Sequence, residues 1–281
     1  MVKLPGKFDD VVKTAKSVLD DDYKSKGYQL EAKHKTKLDG AILTSSVDLD
    51  FAKKGEGVVT PAKLSWKFPK PFGLVGFAID KFEFDKEGKM KIETAMKKDM
   101  HKVDDLVIQA TSDCKDASKA TVSLTYTGIK DAYAKFETKP LKVDDFTAEC
   151  LYGVGPAVVG AQFKGTDVSK ASVGLNFTSG NFFASVIAKK MFSDFTAYAY
   201  FKPMSDVSLA ATCNYGGKDV TWTVGGAGTV AGIPAKAKIN NKLEANTTCK
   251  VTVCDGMKAT LGASYGISDG KTSVGAKLVI E

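Results

Sequence analysis

Ile233-Pro234-Ala235-Lys236-Ala237-Lys238-Ile239-Asn240 alternates apolar and polar residues without a break. Successive side chains of a strand point to opposite faces, so Ile233, Ala235, Ala237 and Ile239 share one face and Pro234, Lys236, Lys238 and Asn240 the other. The same period returns in both directions along the chain. Met257, Ala259, Leu261, Ala263 and Tyr265 oppose Lys258, Thr260, Gly262 and Ser264. Upstream, Met90, Ile92, Thr94 and Met96 oppose Lys89, Lys91, Glu93, Ala95 and Lys97, and Ala120, Val122, Leu124 and Tyr126 oppose Thr121, Ser123, Thr125 and Thr127. Turn signals separate such runs: Asp39-Gly40, Lys54-Gly55-Glu56-Gly57, Glu87-Gly88, Ser179-Gly180-Asn181, Gly216-Gly217, Asp255-Gly256 and Asp269-Gly270. The runs recur about every 14 residues, turns included, which is the rhythm of a barrel of roughly ten-residue strands. Counting them gives about nineteen. Pro61, Pro69, Pro71, Pro156, Pro203 and Pro234 are expected at strand ends or bulges, where a missing N–H is tolerated.

The opening residues follow a different period. At about 100° per residue, Leu4, Phe8, Val11, Val12, Ala15, Val18 and Leu19 fall within an arc of roughly 120°, with Asp9, Asp10, Lys13, Lys16 and Ser17 on the other side. This predicts one amphipathic helix from Pro5, whose fixed φ suits a first turn, to Leu19. Asp20, Asp21 and Asp22 stand where the negative end of the helix dipole lies, which favours stopping there. So short a helix is marginal alone in water and needs a surface for Phe8, Val11, Ala15 and Leu19. Gly27 ends the helical pattern. The expected organisation is an N-terminal helix and hinge over 1–25 and a barrel over 26–281, with no second composition regime.

Composition decides what the strands build. The 281 residues are 43% hydrophobic, and the mean hydropathy of -0.12 resembles that of a soluble chain. A membrane barrel has the same signature, because only alternate residues meet lipid. The longest apolar candidate, Phe72 to Ile79, stops at Asp80, far short of the roughly 18 residues that suggest a membrane helix. A soluble lipid- or ligand-binding β protein is the alternative. Small barrels close with about eight strands, and sandwich strands bury one face in bulky residues. Here one face is rich in Ala, Gly, Val and Thr and the other in Lys and Thr. The expected fold is an all-β membrane protein, a closed transmembrane barrel of about nineteen strands with the amphipathic helix inside its lumen.

Other chemistries find little support. The formal net charge is +7, but every basic residue is Lys, which removes the bidentate fork that reads bases and phosphates, so no specific nucleic-acid partner is expected. The five cysteines, Cys114, Cys150, Cys213, Cys249 and Cys254, form no C-x-x-C pair and suit neither a disulfide framework nor a zinc site. His34 and His101 lie in lysine-rich sequence with no H-E-x-x-H or G-x-S-x-G pattern nearby. Gly153-Val154-Gly155-Pro156 lacks the third glycine of a dinucleotide loop and leads into strand. Asn176-Phe177-Thr178 and Asn246-Thr247-Thr248 lie in predicted strands with no secretory signal, so they are read as chance matches to the glycosylation triplet. No enzyme, cofactor or metal is expected. The informative pattern is distributed: Lys33, Lys35, Lys89, Lys91, Lys97, Lys236, Lys238, Lys258 and Lys277 oppose apolar residues on predicted strands. On an open sheet these would be a solvated face. In a closed barrel the same face lines a channel, and fixed positive charge there concentrates small anions.

From end to end the chain resembles the mitochondrial voltage-dependent anion channels, the eukaryotic porins. Phe8-Asp9-Asp10-Val11-Val12-Lys13-Thr14-Ala15-Lys16 resembles their N-terminal helix, Lys26-Gly27-Tyr28 their glycine hinge and Thr44-Ser45-Ser46 their second strand. Ala237-Lys238-Ile239-Asn240-Asn241 is similar to an Ala-Lys-Val-Asn-Asn stretch, and Gly256-Met257-Lys258-Ala259-Thr260-Leu261 with Ser268-Asp269-Gly270 resembles the last hairpin. The resemblance implies nineteen strands, the family's own number, a mitochondrial outer-membrane location and a voltage-gated, weakly anion-selective pore passing ATP, ADP, phosphate and chloride. It makes Lys13 and Lys16 pore-lining or gating positions and Gly27 a hinge; the polar side of the helical arc adds Asp9 to that set, and alternation within a closed barrel makes Lys89, Lys91, Lys236, Lys238 and Lys258 lumen lysines. The resemblance also sets Asp80 against a lipid-facing acid of the fourth strand. Two positions depart from the pattern: Gln29 replaces a common second glycine, and Asp105-Leu106-Val107 replaces Gly-Leu-Lys. The implied partners are membrane lipid and small anions and nucleotides in transit, with room for a homo-oligomer. An outer-membrane protein-import barrel is the rival within the fold, and it usually carries a longer N-terminal extension.

Overall fold

The computed structural model describes residues 4–37, 40–49, 62–85, 88–217 and 219–281. The Lys54–Gly57 turn, Pro61, and the Asp39 and Glu87 halves of two predicted turns lie outside them. A 3-10 turn over Phe8–Val12 leads into α1, Lys13–Leu19. The strands then run β1 Gly27–Lys35, β2 Ile42–Leu49, β3 Ala62–Phe68, β4 Phe77–Asp85, β5 Met90–Met96, β6 Leu106–Asp113 and β7 Asp116–Tyr126. They continue with β8 Ala132–Lys139, β9 Lys142–Val154, β10 Ala157–Lys164, β11 Ser172–Ser179, β12 Phe182–Lys189 and β13 Asp194–Phe201. The last six are β14 Ser208–Gly216, β15 Asp219–Val230, β16 Ile233–Asn240, β17 Glu244–Cys254, β18 Met257–Gly266 and β19 Thr272–Ile280.

Each strand pairs antiparallel with the next, and β1 pairs parallel with β19 from Gly27↔Gly275 to Ala32↔Ile280. An odd number of up-and-down strands leaves the first and last running the same way, so a nineteen-stranded sheet can close only through one parallel pair. Closure removes the unpaired edge that lipid would leave unsatisfied.

The alternation read from the sequence becomes an outside and an inside. On β13, Phe195, Ala197, Ala199 and Phe201 are exposed on the outer wall, while Thr196, Tyr198 and Tyr200 are half-buried within. Trp66, Phe82 and Phe84 pack together on the outer face of β3 and β4, with centroids 4.8 to 6.0 Å apart. A contiguous apolar exterior of this extent is the surface a barrel turns to lipid.

Two expectations about local structure change. The helix is not one α-helix from Pro5: its first turn is 3-10, with the Asp10 N–H bonded to the Lys7 carbonyl at 3.0 Å. No side chain caps it locally, and the tighter i, i+3 geometry stacks Phe8 over Val11 on the face that is buried. Asp80 does not face lipid. Between Ile79 and Lys81 the ladder slips by one residue, so Asp80 and Lys81 together oppose Lys67, and the Asp80 carboxylate pairs with Lys67 Nζ at 3.2 Å. Lys67 stands on the inner face with Lys63 and Ser65, so the bulge turns the acid to the lumen side.

Candidate functional site

The lumen is organised by the helix that crosses its wall. Phe8, Val11, Val12, Ala15, Val18 and Leu19 are all buried. Phe8, Val11 and Val12 pack on Tyr133, Leu151, Val158 and Ile187, from the inner faces of β8, β9, β10 and β12. Ala15, Val18 and Leu19 pack on Phe183 and Ala210, with Tyr198, Tyr200 and Ala227 beside them. The wall makes room with glycine: a Cβ at Gly174 would stand 3.2 Å from the Phe8 ring, and one at Gly275 would stand 2.6 Å from the Lys24 carbonyl oxygen. The linker from α1 to β1 therefore lies flat on the sheet.

Both ends of the helical segment are held by charge of the sign its dipole requires. At the N-terminal end the Phe8 N–H donates to Glu149 Oε2 at 3.1 Å, and Gln162 steadies the same carboxylate with a 2.8 Å hydrogen bond from Nε2 to Oε1. Midway, Asn176 Nδ2 donates to the Val11 carbonyl at 3.3 Å. At the C-terminal end Lys236 Nζ donates to the carbonyls of Ser17 at 2.7 Å and Asp21 at 3.2 Å, and Lys238 Nζ donates to the Leu19 carbonyl. Asp22 lies between Lys250 at 2.8 Å and Lys236 at 3.2 Å, and Asp20 is 3.8 Å from Lys238. Burial opposes ionisation of Asp22, but hydrogen bonds from Lys250 and Lys236 outweigh it and hold the carboxyl below the usual range. Tyr23, under Lys238 at 4.3 Å, is pushed up to about 12 by burial and by Asp20, so the phenol remains neutral.

The helix's other face looks into the open lumen. Asp9, Lys13 and Lys16 are exposed, Lys13 to 71% of its side chain, with Asp10 3.9 Å away. Gly27 is the first residue of β1 at φ 67°, a left-handed turn from linker to strand that costs a glycine little. The lysines expected to line the pore divide. Lys91, Lys236, Lys238 and Lys258 are on the inner face. Lys91 pairs with Glu93 at 2.7 Å and Lys258 with Glu281 at 3.0 Å. Lys89 is in the turn before β5 rather than on a strand, its N–H bonded to Asp85 Oδ1 at 2.8 Å.

Sequence reasoning missed the apolar strip of inner wall on which the helix lies. Its signal is a lapse of alternation: Phe182-Phe183-Ala184-Ser185-Val186-Ile187-Ala188 is almost continuously apolar, as a strand covered on both faces must be. Glu149 and Asn176 carried no signal of their own, because their partners lie more than 140 residues away in sequence.

A closed nineteen-stranded barrel with an apolar exterior and a charged lumen belongs to the class of transmembrane β-barrel pores. A family model described as eukaryotic porin matches residues 4–275, and the chain belongs to that family. It is thus a non-catalytic, voltage-gated diffusion pore for ions and metabolites in the mitochondrial outer membrane, its outer wall against membrane lipid. Among curated proteins none matches. Two mutants of Rh. blastica porin are similar at a TM-score of 0.47, with 8% and 7% identity over 79% and 80% of this chain and 91% and 92% of theirs. A structure described as asymmetric conductivity of engineered proteins stands at 0.48 and 8%, covering 80% of this chain and 92% of its own. These likenesses are too distant to bear on strand number or selectivity.

Proposed function

We propose that the pore is weakly anion-selective, that ATP, ADP, phosphate and chloride cross it down their gradients, and that residues 1–25 act as its gate within the barrel of 26–281. The observation that carries this is the seating of the helix: its apolar side is spent on the wall and its charged side, Asp9, Lys13 and Lys16, borders the path of ions. Anion preference rests on the sum of charge, +7, rather than on isolated lysines, because those of the inner wall are largely paired. A charged segment inside the field supplies the voltage response, since moving one charge across 100 mV is worth about 2.3 kcal/mol. Gly27 is the hinge and Phe8, Val11, Ala15 and Leu19 the docking face of this gate. Association with further copies through the outer wall is compatible with its apolar surface.

The test is the reversal potential of the purified chain in a planar bilayer under a potassium chloride gradient. The expected sign favours chloride, and Lys13→Glu with Lys16→Glu moves it toward potassium. A cation-selective wild-type pore would overturn the selectivity assigned here.

A further inference from the structure

We infer that Lys236 and Lys238, with Lys250 beside them on Asp22, form a latch that sets the voltage at which the pore closes, and that Lys236 and Lys238 are not a selectivity filter. The inference rests on the gating role proposed for the helix and names the wall residues that hold it. Three ammonium groups from two neighbouring strands, β16 and β17, converge on the six residues Ser17–Asp22. They meet two kinds of negative partner at once. One is the set of carbonyls that a helix leaves unpaired at its C-terminus, here those of Ser17 and Leu19. The other is the run Asp20-Asp21-Asp22, whose acids stand at the end of the dipole that disfavours them. Without the wall, this end of the helix would repel itself; against the lysines, the Asp20 and Asp22 carboxylates and the free carbonyls become attachments.

The grip is uneven along the helical segment. The N-terminal end has one wall carboxylate, Glu149, and a neutral amide, Asn176. The C-terminal end has the three lysines, with Thr248 Oγ1 donating to the Asp22 carbonyl at 3.1 Å and the linker pressed on Gly262 and Gly275. Lys236 and Lys238 side chains keep only 21% and 20% of their surface exposed, so they offer passing anions little. Hydrogen bonds to charged groups are the stronger kind, and losing one shifts a two-state equilibrium by about tenfold or more. The latch therefore biases the open state through the helix, and its lysines act as positioning residues.

The experiment uses the full-length chain carrying K236M and K238M together, with K236R and K238R as the charge-preserving rescue and K91M with K258M as a lumen pair that removes the same two charges without touching the helix. Bilayer recordings give the closing voltage and the reversal potential; hydrogen exchange gives the protection of residues 13–22. Far-UV circular dichroism in detergent establishes that each barrel is folded. The expected result for the methionine variant is an open-to-closed ratio lower by about tenfold at a fixed voltage and faster exchange over 13–22. Its reversal potential should move no further than that of the control pair, and arginine should restore gating. Unchanged exchange and unchanged closing voltage would overturn the latch and leave the helix gate standing. Faster exchange with unchanged closing voltage would overturn the helix gate, and the latch as a gating device with it. A large change of reversal potential with unchanged gating would return these lysines to the role of a filter.

Discussion

Asp22 shows how one side chain converts an unfavourable sequence into a stable contact. Three consecutive aspartates at a helix C-terminus oppose its dipole, yet Asp22 is hydrogen-bonded by Lys250 and Lys236, which more than offset its burial and lower its pKa. A carboxylate whose folded-state pKa is depressed contributes stability that is fully present above the ordinary value of about 3.9 and is lost as pH falls through the lower folded value. Protection of residues 17–22 against hydrogen exchange should therefore be level from neutral pH to about 4 and fall below it, apart from the intrinsic pH dependence of exchange. Asp22→Asn should lose this step and exchange faster at neutral pH; equal protection in the two proteins would contradict the assignment. Phe8, at 1% exposure, anchors the other end. Truncation to Ala should weaken docking by about 3–5 kcal/mol and speed tryptic cleavage at Lys13 and Lys16, with the barrel's melting unchanged. The docking residues were legible because Phe8, Val11, Ala15 and Leu19 repeat with helical period. Lys236 and Lys238 were legible as inner-face lysines. Their helix carbonyl partners were not, since nothing local marks a contact between Lys236 and Ser17.

At the scale of elements, the closing pair β1 and β19 carries its own specification. Glu31 on β1 lies 2.8 Å from Lys277 on β19 and 3.2 Å from Lys33, and Lys33 in turn lies 3.5 Å from Glu281. Signs alternate across the seam, and a slip of one residue would carry them to the lipid side. Glu31→Lys should lower the yield of refolded barrel in detergent and its thermal midpoint, and adding Lys277→Glu should recover much of both. Failure of the second charge to rescue would show that the backbone ladder alone fixes the register. Alternation and turn residues sufficed to place most strands, because a strand wet on one side and in lipid on the other must alternate. They were less informative for β12, where the helix covers the inner face and Phe183 and Ile187 replace polar residues. The bulge at Asp80 was invisible for a related reason: one extra residue reverses the parity on which face assignments depend.

For the whole molecule, the pieces amount to a rigid wall and a lightly attached segment. Nineteen paired strands leave no free edge, so the barrel has little freedom to open or close by itself. The segment before Gly27 is held by one apolar face and a handful of charge-assisted contacts, each of a size that a membrane field can rival, at about 2.3 kcal/mol per charge per 100 mV. That difference in attachment divides the work: the barrel provides a permanent path, and the helix sets how much of it is open. The direct measurement is the current–voltage relation of single pores formed by the full chain, compared with pores formed by residues 26–281. The full chain should conduct ohmically near zero voltage and drop to lower conductance as voltage of either sign increases, whereas the shortened chain should conduct across the same range with the drop lost or strongly reduced. A full chain that forms no pores, or a shortened chain that gates as the full one does, would contradict this account.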